Sequence, residues 1–162
     1  MISSSKRETV LDAGAPVRSS RGYRWAFVLA MLLIGLAVLA GDVGAQEVVV
    51  NKGVAESSVS QNVLRVIFGM RLRSWNDGTP ITVFVLDDRS EVHRSFCKSK
   101  LNMFPHQLRQ AWDRMVYSGT GQAPALVSSE EEMRQRVSST PGGIGYLTSE
   151  WLDDSVKILQ IR

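Results

Sequence analysis

Short β-branched runs alternate with amphipathic segments along most of this chain, and this alternation constrains the fold more than any other feature. The best strand candidate is Ile81-Thr82-Val83-Phe84-Val85-Leu86, and four further runs have strand character: 47–51, 125–127, 144–147 and 156–159. Helical patterns separate most of these runs. Strands that alternate with helices predict an α/β fold, here a three-layer sandwich with a mostly parallel sheet of about five strands.

Each predicted helix has a local start signal. The serine cluster at 57–60 precedes the first, and Asp87, Asp88 and Ser90 precede the second. Pro105 stands where a first-turn proline would open the third, and Ser129 with Glu132 forms a capping box for the fourth. In the first helix the stripe expected to face the core is Val63, Val66, Ile67 and Met70. The predicted core comprises Val49, Ile67, Phe84, Val85, Phe96, Trp112, Val127, Ile144 and Ile158.

The first 45 residues have the composition of an export segment. Residues 25–41 are apolar and uncharged, five cations precede them, and Val43-Gly44-Ala45 follows as a small-residue cleavage site. We therefore expect a signal peptide at 1–45 and a folded domain at 46–162. The alternative is an uncleaved anchor, because a membrane helix needs only about 17 apolar residues. In both cases the C-terminal part is exported to the periplasm, and only the N-terminal segment contacts the membrane.

Charge and cysteine content exclude several protein classes. Residues 46–162 contain 14 Lys and Arg against 13 Asp and Glu, so the net charge of +3 comes mainly from the export segment. This distribution does not predict a nucleic-acid partner. Cys97 is the only cysteine, which excludes an intramolecular disulfide.

Two segments resemble the phosphate-binding proteins of ABC transporters. Ile67-Phe68 followed by Trp75-Asn76-Asp77-Gly78-Thr79-Pro80-Ile81 is similar to the stretch that enters their second lobe. Thr140-Pro141-Gly142-Gly143-Ile144-Gly145-Tyr146 resembles a TPGAIGY loop near the end of that lobe, and Phe96 and Trp112 fall where the family places aromatics. The resemblance implies a single lobe of a periplasmic-binding-protein fold over about residues 47–161.

The same resemblance implies a function and a site. It implies a small oxyanion ligand such as phosphate, an ABC transporter permease or another envelope protein as partner, and no enzymatic activity or cofactor. The family holds its anion with an R-x-x-x-S-G-T segment before a helix, and the matching positions here are Leu86, Ser90, Glu91 and Val92, of which only the serine agrees. The candidate ligand-binding residues are Ser90, Arg89, Thr140, Gly142 and Gly143.

Each candidate also has a purely structural interpretation. Ser90 is a preferred helix cap beside a solvated Arg89, and Thr140 to Gly143 is a helix stop with a tight turn. Two functions therefore remain open from the sequence. One is oxyanion capture for a transporter, and the other is a single-lobe interaction or sensory module of the cell envelope that has lost the solute site.

Other chemistry receives little support from the residues. His93 and Cys97 are four apart on a predicted helix, but zinc needs at least three protein ligands, so a surface histidine beside a semi-buried thiol is expected and no metal site. Asp87 and Asp88 are expected to cap a helix. With no nucleophile elbow and only two histidines, the chain is not predicted to be an enzyme.

Overall fold

A five-stranded sheet forms the centre of the domain in the computed structural model, which describes residues 45–162. The predicted signal peptide and its alternative, the anchor, lie outside the described residues. The strands are β1 Gln46–Val50, β2 Ser58–Val59, β3 Thr82–Val85, β4 Ala125–Leu126, β5 Gly143–Thr148, β6 Lys157–Ile158 and β7 Gln160–Ile161. The sheet order is β4-β3-β5-β1-β6, and β2 pairs separately with β7.

Strand direction confirms the predicted fold class. Strand β3 pairs parallel with β4 and β5, whereas β1 pairs antiparallel with β5 and β6. Four of the five strands therefore run the same way and only β1 runs against them. The small β2–β7 pair, which is parallel, was not predicted, because two-residue strands carry no periodic signal.

Four helices pack on the two faces of the sheet. They are α1 Gln61–Phe68, α2 Glu91–Ser99, α3 Pro105–Tyr117 and α4 Glu130–Ser139. Gly145 of β5 faces α4, since a Cβ there would lie 2.8 Å from Met133 Sδ, while the ring of its neighbour Tyr146 stacks on Phe96 of α2 at 3.9 Å. Successive strand residues point to opposite faces, so α4 covers one face and α2 the other. The three-layer prediction is confirmed.

The serine and proline start signals act as expected, but the prediction of Asp87 and Asp88 as helix caps was wrong. Asp87 accepts from the Arg89 amide before the helix begins, and Asp88 binds Arg109 instead. The hydroxyls of Ser60, Ser90 and Ser129 each accept a hydrogen bond from an amide in the first turn that follows. Pro105 is the first residue of α3. In α4 the carboxylate of Glu132 accepts from the amide of Ser128 at 2.8 Å, so the box closes one residue earlier than the pattern indicates.

The core is largely the predicted one, with two corrections. Of the nine predicted core residues eight are buried, but Ile158 is 40% exposed and Leu159 is buried in its place. The chain leaves β6 at Leu159 and turns into β7, so strict alternation fails there. In α1 the prediction of Val63 and Val66 as core residues was wrong: both are exposed, and Leu64, Ile67 and Phe68 are buried. Both stripes have helical spacing, so periodicity alone could not choose between them.

Within residues 45–162, no helix combines the length and the apolar character needed to cross a membrane.

Candidate functional site

The residues predicted to bind a ligand lie at two separate ends of β3. Ser90 and Arg89 follow the carboxyl end of this strand, where the chain enters α2. Gly142 and Gly143 lie beside its amino end, because Thr82 pairs with Gly143 and the Thr82 amide donates to the Gly142 carbonyl at 3.3 Å. The fold therefore does not bring the two groups together into one pocket.

The loop 140–143 packs against the other segment that carries the family resemblance. The indole Nε1 of Trp75 donates to the buried Gly142 carbonyl at 3.0 Å. Gly142 has φ of 72°, and a Cβ at this residue would lie 2.1 Å from the Pro80 carbonyl oxygen. The amide of Gly143 donates to the Thr140 carbonyl at 2.9 Å. These contacts give the loop a structural role, and ligand binding by Thr140, Gly142 and Gly143 stays a prediction.

The segment before α2 satisfies most of its amides with the protein's own groups. The Leu86 amide donates to the Tyr146 hydroxyl at 2.9 Å, and the Arg89 amide donates to the Asp87 carboxylate at 2.9 Å. The Ser90 hydroxyl accepts from the His93 amide at 3.4 Å. The hydrogen bond from the Arg89 backbone amide, and then that from its side chain, lowers the pKa of Asp87. This carboxylate therefore already accepts both the backbone amide and the side chain of Arg89.

Arginines near this end of the sheet are either exposed or already paired. The Arg89 side chain is 92% exposed and pairs with Asp87, so it points outward. Arg109 of α3 holds Asp88 with two hydrogen bonds of 2.9 and 3.0 Å, and this hydrogen bonding is the main cause of its raised pKa. Arg94 pairs with Glu91. Arg109 could not be identified from the sequence, because it lies 21 positions from Asp88 and no local pattern indicates that the two side chains meet.

A buried polar cluster lies beneath this segment, and its centre is His93. The side chains of His93 and Cys97 are fully buried, so the predicted surface histidine and semi-buried thiol were wrong. The Tyr146 hydroxyl lies 2.6 Å from His93 Nδ1. Because this hydroxyl already accepts from the Leu86 amide, its own proton is best donated to Nδ1. That assignment places the histidine proton on Nε2, which lies 3.6 Å from Asp88 Oδ1 and 3.5 Å from Cys97 Sγ.

Electrostatics make this cluster a structural element and argue against nucleophilic catalysis. Burial lowers the pKa of His93 and raises that of Cys97 to about 12, so the imidazole is neutral and the thiol protonated near neutral pH. Burial also raises the pKa of Tyr146. An activated thiol needs a lowered pKa and access to solvent, and Cys97 has neither. Among the described residues, no group of three His, Cys, Asp or Glu side chains is placed to hold a metal ion.

Comparison with known proteins gives matches among solved structures only. Neither a known sequence family nor a curated protein sequence matches the chain. An ABC-type phosphate transport receptor from Vibrio cholerae matches at 17% identity and a TM-score of 0.57, over 73% of this chain and 46% of that one. PstS from Borrelia burgdorferi matches at 19% identity and a TM-score of 0.58, over 74% and 47%. A putative phosphate ABC transporter substrate-binding protein from Clostridium perfringens, solved with bound phosphate, matches at 16% identity and a TM-score of 0.59, over 73% and 45%.

The chain has the fold of one lobe of a phosphate-transport binding protein. The predicted resemblance is therefore confirmed at the level of fold. The chain spans slightly less than half the length of the structures it matches. At these sequence identities the similarity establishes a solute-binding-protein-like fold, and it carries no residue assignments.

Proposed function

We propose that this chain is an exported, non-enzymatic, solute-binding-protein-like domain that contacts a partner protein of the cell envelope and does not capture phosphate. The observation that carries this proposal is the state of the α2 N-terminus. There Asp87 and Ser90 accept hydrogen bonds from the amides of Arg89 and His93, and Asp88 holds Arg109.

The residue types at this helix start support the same conclusion. Leu86 is 5% exposed and has no group that could pair with phosphate, and Val92 has no hydroxyl. Glu91 adds a carboxylate at the first position of α2, beside Asp87 and Asp88. Carboxylates near a helix N-terminus occupy the favourable potential themselves and repel a bound anion.

Oxyanion capture remains a second candidate because one observation favours it. The first turn of any helix has amides without an intrahelical acceptor, and Glu91 and Val92 are in that turn here. Ser90 stands directly before them with its hydroxyl at the helix start. A small anion could bind there if the neighbouring carboxylates were displaced or protonated.

A thermal-shift series separates the two candidates. The protein is heated with millimolar phosphate, sulfate, acetate and succinate, alongside the variants Asp88→Asn and Ser90→Ala. We expect no anion-dependent rise in melting temperature in any of the three proteins, and a fall in stability only where a cap or an ion pair is lost. A rise with phosphate that is larger in Asp88→Asn and absent in Ser90→Ala would establish oxyanion capture instead.

Export is part of the proposal and has its own test. The predicted cleavage after Ala45 leaves Gln46 as the first residue, and Gln46 begins β1. Mass spectrometry of the protein recovered from the periplasm should give this N-terminus. A full-length, membrane-retained product would show that the segment is an anchor.

A further inference from the structure

We infer that a groove between α1 and α3 is a docking site for an acidic, amphipathic segment of a partner protein. Two adjoining depressions of about 610 and 220 Å³ form it, and both are lined by Arg65, Arg71, Met103 and Ala111. The walls are formed by α1, the turn that follows it, residues 102–103 of the loop before α3, and α3 itself. This inference rests on the proposed function, because it names the surface and the chemistry of the partner.

The charge of the groove is uncompensated. Arg65, Arg71 and Arg114 line it, and no Asp or Glu is among the lining residues. None of these three arginines forms an ion pair with any residue in the range 45–162. Because positive and negative residues are nearly balanced over the whole domain, three unpaired arginines in one groove form a local positive field that favours an acidic partner.

The groove is also pre-organised. The Arg65 guanidinium donates to the Leu101 carbonyl at 2.6 Å and to the side-chain oxygens of Asn62 and Gln61, each at 3.2 Å. Those acceptors are neutral, so they hold the side chain without cancelling its charge. Arg71 is exposed, and its side chain makes no hydrogen bond within the described part of the chain, which leaves its guanidinium fork available for a carboxylate.

The floor of the groove is apolar. Val66 lines it and is 39% exposed, although it belongs to a helix whose other large apolar residues are mostly buried. Met103 and Ala111 are partly buried beside it, and Leu108 closes the base. An apolar floor with cations at the rim matches a peptide that presents an apolar stripe flanked by carboxylates, as in helix-in-groove recognition.

The shape and residue types favour a peptide over other anionic partners. A planar membrane surface cannot reach a floor that lies between two helices, and basic membrane-binding surfaces are rich in exposed lysine and aromatic residues. The lining residues contain neither lysine nor aromatic side chains, so stacking of nucleic-acid bases has no platform.

Fluorescence anisotropy with a designed peptide tests the inference. The probe is a labelled amphipathic peptide of about 14 residues, long enough for four helical turns, with Leu on one face and Glu on the others. The control peptide carries Lys at each Glu position. We expect the full-length protein to bind the Glu peptide with an affinity that falls as the salt concentration rises. No binding of the Lys peptide is expected.

Matched double variants locate the binding surface. Arg71→Gln with Arg114→Gln should weaken binding of the Glu peptide at least about fivefold, the loss expected for two exposed ion pairs. Lys98→Gln with Arg136→Gln removes the same charge from exposed residues of α2 and α4 and should leave the affinity within about twofold. Equal losses in the two variants, or no binding of the Glu peptide, would overturn the groove assignment.

Three further outcomes test this inference and distinguish its failure from failure of the proposed function. In the first, the protein binds vesicles of phosphatidylcholine and phosphatidylglycerol through the same two arginines and does not bind the peptide. That result would refute a protein partner and indicate a membrane instead. Phosphate binding at Ser90 would refute the proposed function, and peptide binding to the groove could still be measured independently. Absent peptide binding together with absent phosphate binding would refute the groove alone.

Discussion

Replacement of Gly142 by alanine tests the interlock between the 140–143 loop and the 75–82 segment. The substitution carries two costs. A φ of 72° is unfavourable for any residue with a Cβ, by about 1–2 kcal/mol. The new Cβ would also lie 2.1 Å from the Pro80 carbonyl oxygen, so the two segments must move apart and stretch the 3.0 Å hydrogen bond from Trp75 to Gly142. Overpacking of this kind adds about 1–3 kcal/mol, so the total should reach about 2–5 kcal/mol.

Gly78→Ala is the matched control for this substitution. Gly78 also has a positive φ, 87°, but a Cβ there meets nothing within 4 Å, so only the cost of the backbone conformation applies. Urea unfolding measures both variants. With a slope of about 2 kcal/mol per molar urea, Gly142→Ala should lower the midpoint by about 1–2.5 M and Gly78→Ala by about 0.5–1 M. Equal shifts would refute the close contact between the two segments.

Three further perturbations test the buried cluster and the core. The free energy of unfolding should fall as pH drops below 6.5, because burial lowers the pKa of His93 in the folded state and the unfolded chain therefore binds a proton more readily. His93→Gln should reduce this pH dependence of stability, whereas His106→Gln, at an exposed residue, should not. An unchanged pH dependence in His93→Gln would contradict the assignment. Cys97 should resist iodoacetamide at pH 8 and react once urea unfolds the protein, whereas rapid labelling of the native protein would show that the thiol is accessible. Phe84→Ala, at a residue only 4% exposed on β3, should lower the free energy of unfolding by about 3–5 kcal/mol, and an unchanged unfolding midpoint would be inconsistent with a central β3.

The architecture could be predicted from the sequence because its signals are local. Strand β3 and the serine-capped helices follow from β-branched runs and capping chemistry that act within a few residues. The direction of β1 could not be predicted in this way, because its register with β5 depends on contacts about 100 residues apart. The burial of Leu159 instead of Ile158 could not be predicted either. An edge strand of two residues is too short to show which of its side chains alternate toward the core.

The site was harder to predict than the fold. Ser90 was identified as a helix cap from its residue type, and the structure places it there. The burial of His93 was missed because the Tyr146 hydroxyl that satisfies its ring lies 53 positions away along the chain. The pairing of Asp88 with Arg109 was missed for the same reason, and this pair holds the Arg109 guanidinium on a carboxylate of the protein itself. Tertiary contacts between polar side chains leave no periodic trace in a sequence.

Isothermal titration of the purified protein with phosphate shows whether this lobe binds the anion. Asp87, Asp88 and Glu91 stand at the α2 N-terminus, and Arg89 points away from it. We predict no saturable heat up to millimolar phosphate, in wild type and in Ser90→Ala alike. Saturable binding by the wild-type protein that is lost in Ser90→Ala would contradict it and would show that this lobe still captures the anion.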